Sequence, residues 1–319
     1  MRVAFFGTSE FAVPSLERLA GSAHEVVLCV TQPDRPQGRG LKLGASPVKQ
    51  AAQRLGIPVA QLERLTVGAL EGRPADVGAL ASYGQIVKPD VLERFPHGML
   101  GIHPSLLPKY RGAAPVAWAL LNGETRTGLT IFKMNERLDA GDMLLQEPVE
   151  IGVEEDAAAL TARLAALGAE ALLRTLDQVA SGRAAFRPQD EAQASYAPKL
   201  TKAQGRIDWS QPAAVVVRQV RALTPWPGAA TSWRGEPLKV WRAAPGMSPA
   251  GGNAAPGTVT GVEAERLTVA AGTGHVELLE VQPAGRRKQT VREFLAGHNV
   301  QVGDQLGQEG EGRMAKGEG

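Results

Sequence analysis

The chain opens with a short continuous apolar run, Val3 to Phe6, which breaks at Gly7 and gives way to Phe11, Leu16 and Leu19 recurring at helical spacing. A second apolar run, Val26 to Val30, follows Gly21. Strand, tight turn, helix and strand in this order predict a parallel sheet with right-handed crossovers. The rhythm repeats downstream. Val48, Ala51, Ala52 and Leu55 share one side of a predicted helix, Gly56 to Val59 leads into a short strand, and Val77 to Ala81 reads as another. Val116 to Leu121 predicts a helix, Gly128 to Met134 a strand, and Ala157 to about Ala180 a long helix striped by Leu160, Leu164, Leu167, Leu172 and Leu176. Glu154, Glu155 and Asp156 complement the dipole at its start. From Ser181 to Gln204 the pattern lapses into Gly, Pro, Gln and charge, as in an interdomain linker. After a helix around Val215 to Leu223, short segments at Leu238–Trp241, Gly257–Thr260, Leu267–Ala270 and His275–Val281 alternate with Gly-rich separators, the pattern of a small β-barrel.

The expected fold class is therefore α/β: a Rossmann-like, mostly parallel sheet domain over residues 1–185, a linker over 186–204, and an OB-like β-barrel domain over 205–308. The tail, 309–319, is rich in Gly, Glu and Lys and is expected to be disordered. A length of 319 residues suits two domains. Hydrophobic residues make up 43% and charged residues 21%, without an apolar run long enough to span a bilayer, so no membrane partner is expected. The run after Met1 and Arg2 is too short for a signal-peptide core, and the one cysteine, Cys29, lies in a predicted buried strand. These features predict a cytoplasmic protein with neither an internal disulfide nor a cysteine-rich metal site. The net charge of +2 leaves recognition of any polyanion to local patches. The first turn lacks G-x-G-x-x-G and gives no support for a dinucleotide.

Candidate chemistry gathers in Leu100 to Pro115, where Pro104 keeps His103 extended, Pro108 and Pro115 stiffen the loop, and Gly112 permits a turn. A surface loop with an ordinary histidine is the plain alternative. Asp139, in the Gly-containing segment Leu138 to Leu144, reads either as a turn former or as a carboxylate that orients a histidine. Ser82 to Val87 follow a predicted parallel strand, at the sheet end where ligands bind. Thr31 to Leu43 is a long Pro- and Gly-rich loop bearing Arg35, Arg39 and Lys42, suited to gripping phosphates or simply solvated. Residues 205–308 carry 11 Lys and Arg against 8 Asp and Glu, a net of +3 that includes Arg286, Arg287 and Lys288. A basic barrel of this kind is either a nucleic-acid platform or purely structural.

Seven segments occur in the order seen in the methionyl-tRNA formyltransferase family, which the chain resembles over nearly its whole length. They are Thr31 to Gly40, Ser82–Gly84, His103 to Pro115, Leu138 to Met143, Lys199–Leu200 with Ile207–Trp209, Pro225–Pro227, and Val281–Gly285. The resemblance implies transfer of a formyl group from 10-formyltetrahydrofolate to the α-amine of methionyl initiator tRNA, with the folate as cosubstrate and no metal or bound cofactor. It makes His103 and Asp139 the catalytic pair. It implies a folate pocket lined by Ser82, Tyr83, Gly84, Gln85, Ile86, Val87, Ser105, Leu106, Leu107, Pro108 and Asp142. It assigns tRNA contacts to Arg39, with Arg35 and Lys42 in support, while Arg286, Arg287 and Lys288 are the barrel's candidates. A monomer is expected.

Two positions depart from the family. Its motif reads Asn-x-His, with the asparagine amide donating to the formyl oxygen, but the corresponding residue here is Gly101. Arg137 stands where glycine is common. Losing one oxyanion donor costs on the order of 10²- to 10³-fold in turnover. The alternatives are accordingly an impaired member that still binds tRNA and folate, and a formyltransferase acting on a small amine such as a nucleotide sugar. If the missing amide limits the rate, Gly101→Asn is expected to raise turnover.

Overall fold

The computed structural model describes residues 1–37, 42–247 and 254–308. They form two compact units, the first made of residues 1–115, 126–151 and 160–198, the second of 116–125, 152–159 and the chain from 199 onward.

A seven-stranded sheet forms the first unit: β1 (Arg2–Gly7), β2 (Glu25–Thr31), β3 (Val59–Gln61), β4 (Val77–Ala81), β5 (Met99–His103), β6 (Arg126–Lys133) and β7 (Met143–Glu150). Their spatial order is β7-β6-β5-β4-β1-β2-β3. Pairing is parallel from β3 to β5, whereas β6 runs antiparallel to β5 and β7 antiparallel to β6. The continuous apolar runs of β1 and β4 fit interior parallel strands covered on both faces. Cys29 is fully buried in β2, and burial pushes its thiol up to about 12.

Two strands of this sheet go beyond the sequence reading. Met99–His103, read as the start of a rigid loop, is a buried strand that ends on His103. Met143–Glu150 adds an edge whose mixed exposure hides its strand period. The loop expected between residues 31 and 43 is instead a short antiparallel ribbon, pairing Arg35–Gln37 with Lys42–Gly44. At its base Asp34 accepts from Lys49 Nζ at 2.7 Å and from Gln61 Nε2 at 2.7 Å. Both bonds hold the Asp34 carboxylate below its usual range, that to Lys49 first.

The helix α1 (Ala157–Ala180) matches the predicted span and buries Leu160, Leu164, Leu172 and Leu176. Asp156 caps it, accepting from Ala159 N at 2.8 Å. It packs on the sheet at Gly168, where an added Cβ would lie 3.1 Å from Ile102 and 3.3 Å from Leu129. Ile102 therefore faces the helix. Gly101 and His103, one residue to either side, face the opposite side of the sheet.

In the second unit a six-stranded antiparallel sheet joins Ala229–Trp233, Glu236–Gly246, His275–Pro283, Leu267–Ala270 and Val259–Val262, with Gln289–Thr290 paired to His275–Pro283. Residues Gln305 and Leu306 bridge to Thr258 at one edge and to Trp233 at the other, so the sheet closes into the expected barrel. Its core includes Trp209, Val240, Leu267, Val276, Leu278 and Phe294. The tail 309–319 lies outside the described residues. Among the described residues no helix is long and apolar enough to cross a membrane.

Packing of the long helix generates a direct test. Gly168→Val overpacks the contact with Ile102 and Leu129, and we expect a loss of about 1–3 kcal/mol in urea unfolding. Stability equal to the parent's would contradict this contact.

Candidate active site

His103 ends β5 with its side chain only 7% exposed. Its Nε2–H donates to the Tyr110 carbonyl at 2.8 Å, since a carbonyl can only accept. Nδ1 is therefore the ring position at which a proton is gained or lost. It faces Asp139 Oδ2 at 3.6 Å, too far for a hydrogen bond but within ion-pair range. The same Oδ2 accepts from Gly112 N at 2.8 Å, which fixes the carboxylate in place. The histidine and the aspartate singled out in the sequence thus meet.

The backbone is strained around this pair. Among the described residues, three of the four non-glycine residues in the left-handed region are Ser82 (φ 46°), Tyr110 (φ 62°) and Asp139 (φ 48°). Such conformations cost of order 1–3 kcal/mol each and cluster at functional sites. Gly141 closes the Asp139 loop against β6: an added Cβ would lie only 1.7 Å from the Lys133 carbonyl, and Lys133 N donates to Asp142 O at 2.8 Å.

Ser82 to Val87 form an arch after β4. Its backbone is held by Thr8 N on Ser82 O at 3.1 Å, and by Thr8 Oγ1 and Gln32 Nε2 on Tyr83 O at 2.8 and 3.3 Å. Tyr83 turns inward against Phe6, and burial pushes its phenol up to about 12. Val87 is also buried, and Gln85 is engaged with the backbone of Leu62 and Leu65. Ser82, Gly84 and Ile86 point outward, Ile86 being 89% exposed. An isoleucine displayed at the end of a parallel sheet is an apolar surface suited to a flat ligand.

The loop after His103 is braced from within. Ser105 is fully buried and donates to Lys109 O at 2.6 Å, so its hydroxyl shapes the loop. Thr130 Oγ1 donates to Ser105 O at 2.7 Å and accepts from Leu107 N at 3.1 Å, while Gln146 Nε2 donates to Leu107 O at 2.8 Å. Leu107 is buried, Leu106 and Pro108 are partly exposed, and Asp142 is exposed beside the Asp139 loop. Thr130 and Gln146 escaped the sequence reading. Their signal, polar residues alternating within a strand, is the ordinary pattern of an exposed face.

Gly101 sits opposite Phe132 in the β5–β6 ladder, on the His103 side of the sheet. A Cβ built on it would lie 2.5 Å from Phe132 Cε1 and 2.6 Å from Cζ. The ring tip therefore occupies the space in which a side chain at 101 would begin. Arg137, the other departure, joins Glu191 at 3.2 Å.

Of the candidate tRNA contacts, Arg35 is exposed and paired with Glu63 at 2.8 Å. Arg39 lies outside the described residues, and of Lys42 only the backbone, paired with Gln37, is described. In the second unit Arg287 pairs with Glu293 at 2.7 Å, and Lys288 pairs with Glu280 and lies 6.0 Å from the Trp241 ring. Arg286 is exposed and lines a concavity of about 480 Å³ with Trp233, Arg234 and His298. Two of these three barrel cations thus already have acidic neighbours.

Residues 1–176 match the family model described as formyl transferase, and residues 199–299 the model described as formyl transferase, C-terminal domain. A methionyl-tRNA formyltransferase of Solibacter usitatus is 47% identical over 312 residues, covering 97% of this chain and 99% of the relative. That of Heliobacterium modesticaldum is 43% identical over 316 residues, covering 96% and 100%. Among solved structures, an N-formyltransferase from Helicobacter canadensis in complex with folinic acid and dTDP-3-aminofucose shares the fold at a TM-score of 0.67 and 18% identity, covering 88% of this chain and 98% of that one. HypX from Aquifex aeolicus in complex with tetrahydrofolic acid does so at 0.63 and 22%, covering 92% of this chain; the present chain spans about half of HypX, 47%. Both family models and the full-length relatives agree: the chain belongs to the formyl transferase family, in the company of relatives named methionyl-tRNA formyltransferase.

Proposed function

We propose that this protein transfers the formyl group of 10-formyltetrahydrofolate to the α-amine of methionyl initiator tRNA, serving translation initiation. The observation that carries the reading is the ring of His103, with Nε2–H committed to Tyr110 and Nδ1 directed at Asp139, at the sheet end beside the exposed arch 82–87. Relatives matched along their whole length support the substrates.

In this reaction the amine nitrogen bonds to the formyl carbon, the bond from that carbon to N10 breaks, the amine loses a proton and N10 gains one. Nδ1 of His103 is suited to accept the proton, and the Asp139 carboxylate to stabilise the imidazolium until the proton passes to N10. The oxyanion of the tetrahedral intermediate requires a donor. Residue 101 supplies no side chain, and protonated Nδ1 is the donor we assign. Ile86 and the outward edge of the arch are suited to the folate ring. For the tRNA we assign Arg39, with Arg35, Lys42 and the barrel residues Arg286, Arg287 and Lys288 as backbone contacts. We place the enzyme in the cytoplasm on its single cysteine and its substrates, and expect it to act as a monomer.

The direct test is formation of formylmethionyl-tRNA by the purified protein. His103→Ala is expected to lower kcat by about 10²- to 10⁴-fold, and tRNA binding is expected to weaken steeply with salt. An unchanged kcat refutes the role of His103, and salt-independent binding refutes the phosphate contacts.

Phe132 reverses the expectation for Gly101→Asn. Because the ring occupies the site, the single variant is expected to lose about 1–3 kcal/mol of stability without a gain in turnover. Combining it with Phe132→Val should restore much of that stability, giving a coupling energy in a double-mutant cycle. Additive effects would contradict the contact.

A further inference from the structure

Residues 186–198, expected to be part of a linker, belong to the first unit and wrap the loops that carry His103 and Asp139. Arg187 bridges to Met143 through paired backbone bonds of 2.8 and 2.9 Å. Tyr110 N donates to Ser195 Oγ at 2.9 Å and Arg111 N to Ser195 O at 2.8 Å, and Tyr196–Ala197 then pair in parallel with Arg111–Gly112.

Gln189 in this strap touches the backbone of one loop and the arginine of the other. The Gln189 amide donates from Nε2 to the carbonyls of Asp139 and Gly141, each at 2.8 Å. Its Oε1 accepts from Arg111 Nε at 3.1 Å and from Nη2 at 2.7 Å. Arg111 is buried, with its side chain 2% exposed, and directly follows Tyr110, whose carbonyl holds His103. Glu191 adds two bonds of 3.0 Å to the guanidinium, and it also takes Arg137 from the Asp139 loop. Two of the strained residues, Tyr110 and Asp139, are therefore clamped from the same strap.

We propose that Gln189 is a positioning residue for formyl transfer: its amide ties the Asp139 loop to Arg111 and so sets the spacing between Asp139 and His103 Nδ1. This rests on the function proposed above. Gln189 does not touch the reacting atoms. It acts by holding two left-handed backbone segments in register, and a misplacement of about 1 Å at such a pair is enough to cost 10²-fold in rate.

The test compares the full-length protein with Gln189→Leu, which removes every bond of the amide. Gln189→Glu keeps the acceptor for Arg111 but loses the donor to the two carbonyls. Both variants are expected to lower kcat for formylmethionyl-tRNA by about 10- to 100-fold, to leave KM for tRNA and folate nearly unchanged, and to move the pH profile of kcat. Gln189→Glu serves if Gln189→Leu fails to fold. A parent-like kcat and pH profile in a folded variant overturns the inference, as does a loss that only tracks the fraction of unfolded protein. An inactive parent instead overturns the proposed function. In that event the His103 ring titration followed by NMR still decides, with a shift from the parent expected in either variant and coincident curves overturning the role of Gln189.

Discussion

The structure depends on one strand, Met99–His103, which pairs in parallel with Val77–Ala81 on one side and antiparallel with Arg126–Lys133 on the other. This is the seam at which the parallel sheet turns antiparallel, and its register sets which way Gly101, Ile102 and His103 face. Ile102 packs toward Gly168 of the long helix, so Gly101 and His103 face the other way. A slip of one residue would bury the histidine under the helix. The same register sets Gly101 against Phe132, which closes position 101 to a side chain. The close approach of the Phe132 ring and the lack of a side chain at position 101 are therefore one feature of the strand pair.

Around that seam the site is built from strained loops held by hydrogen bonds. Tyr110 and Asp139 both adopt left-handed backbone, and the strap of residues 187–197 clamps them through Arg111, Gln189 and Glu191. Arg111 holds the Glu191 carboxylate below its usual range, mainly through their hydrogen bond, while Glu191 raises the guanidinium. A carboxylate depressed in the folded state adds stability above its unfolded pKa and loses it as pH falls through the lowered value. The clamp therefore persists through neutral pH. Glu191 is half exposed, so solvent screens the pair and limits its contribution.

Much of this was legible in the sequence. Val77–Ala81 and Ala157–Ala180 fall where the hydrophobic periodicity puts them, because runs and stripes report burial directly. His103 and Asp139, which lie 3.6 Å apart, were singled out by residue type and motif. The strand Met99–His103 was hidden because its interior glycine and following proline resemble loop punctuation, and Met143–Glu150 because an edge strand with mixed exposure has no clean period. The strap was hidden for a related reason: it is polar, and its order comes from hydrogen bonds to distant loops. Composition records solubility, which such a segment shares with a true linker. Gly101 was legible as a departure, but its partner Phe132 is a fact of register that only three dimensions supply.

The geometry of formyl transfer at His103 is decided by a crystal structure of the protein with a non-transferable formylated folate analogue. The formyl group is expected on the Nδ1 side of His103, within about 3–3.5 Å of a position open to an attacking amine, with Ile86 against the folate ring. A folate bound away from the arch 82–87, or a formyl group approached from the Nε2 side with the bond to Tyr110 broken, would contradict it.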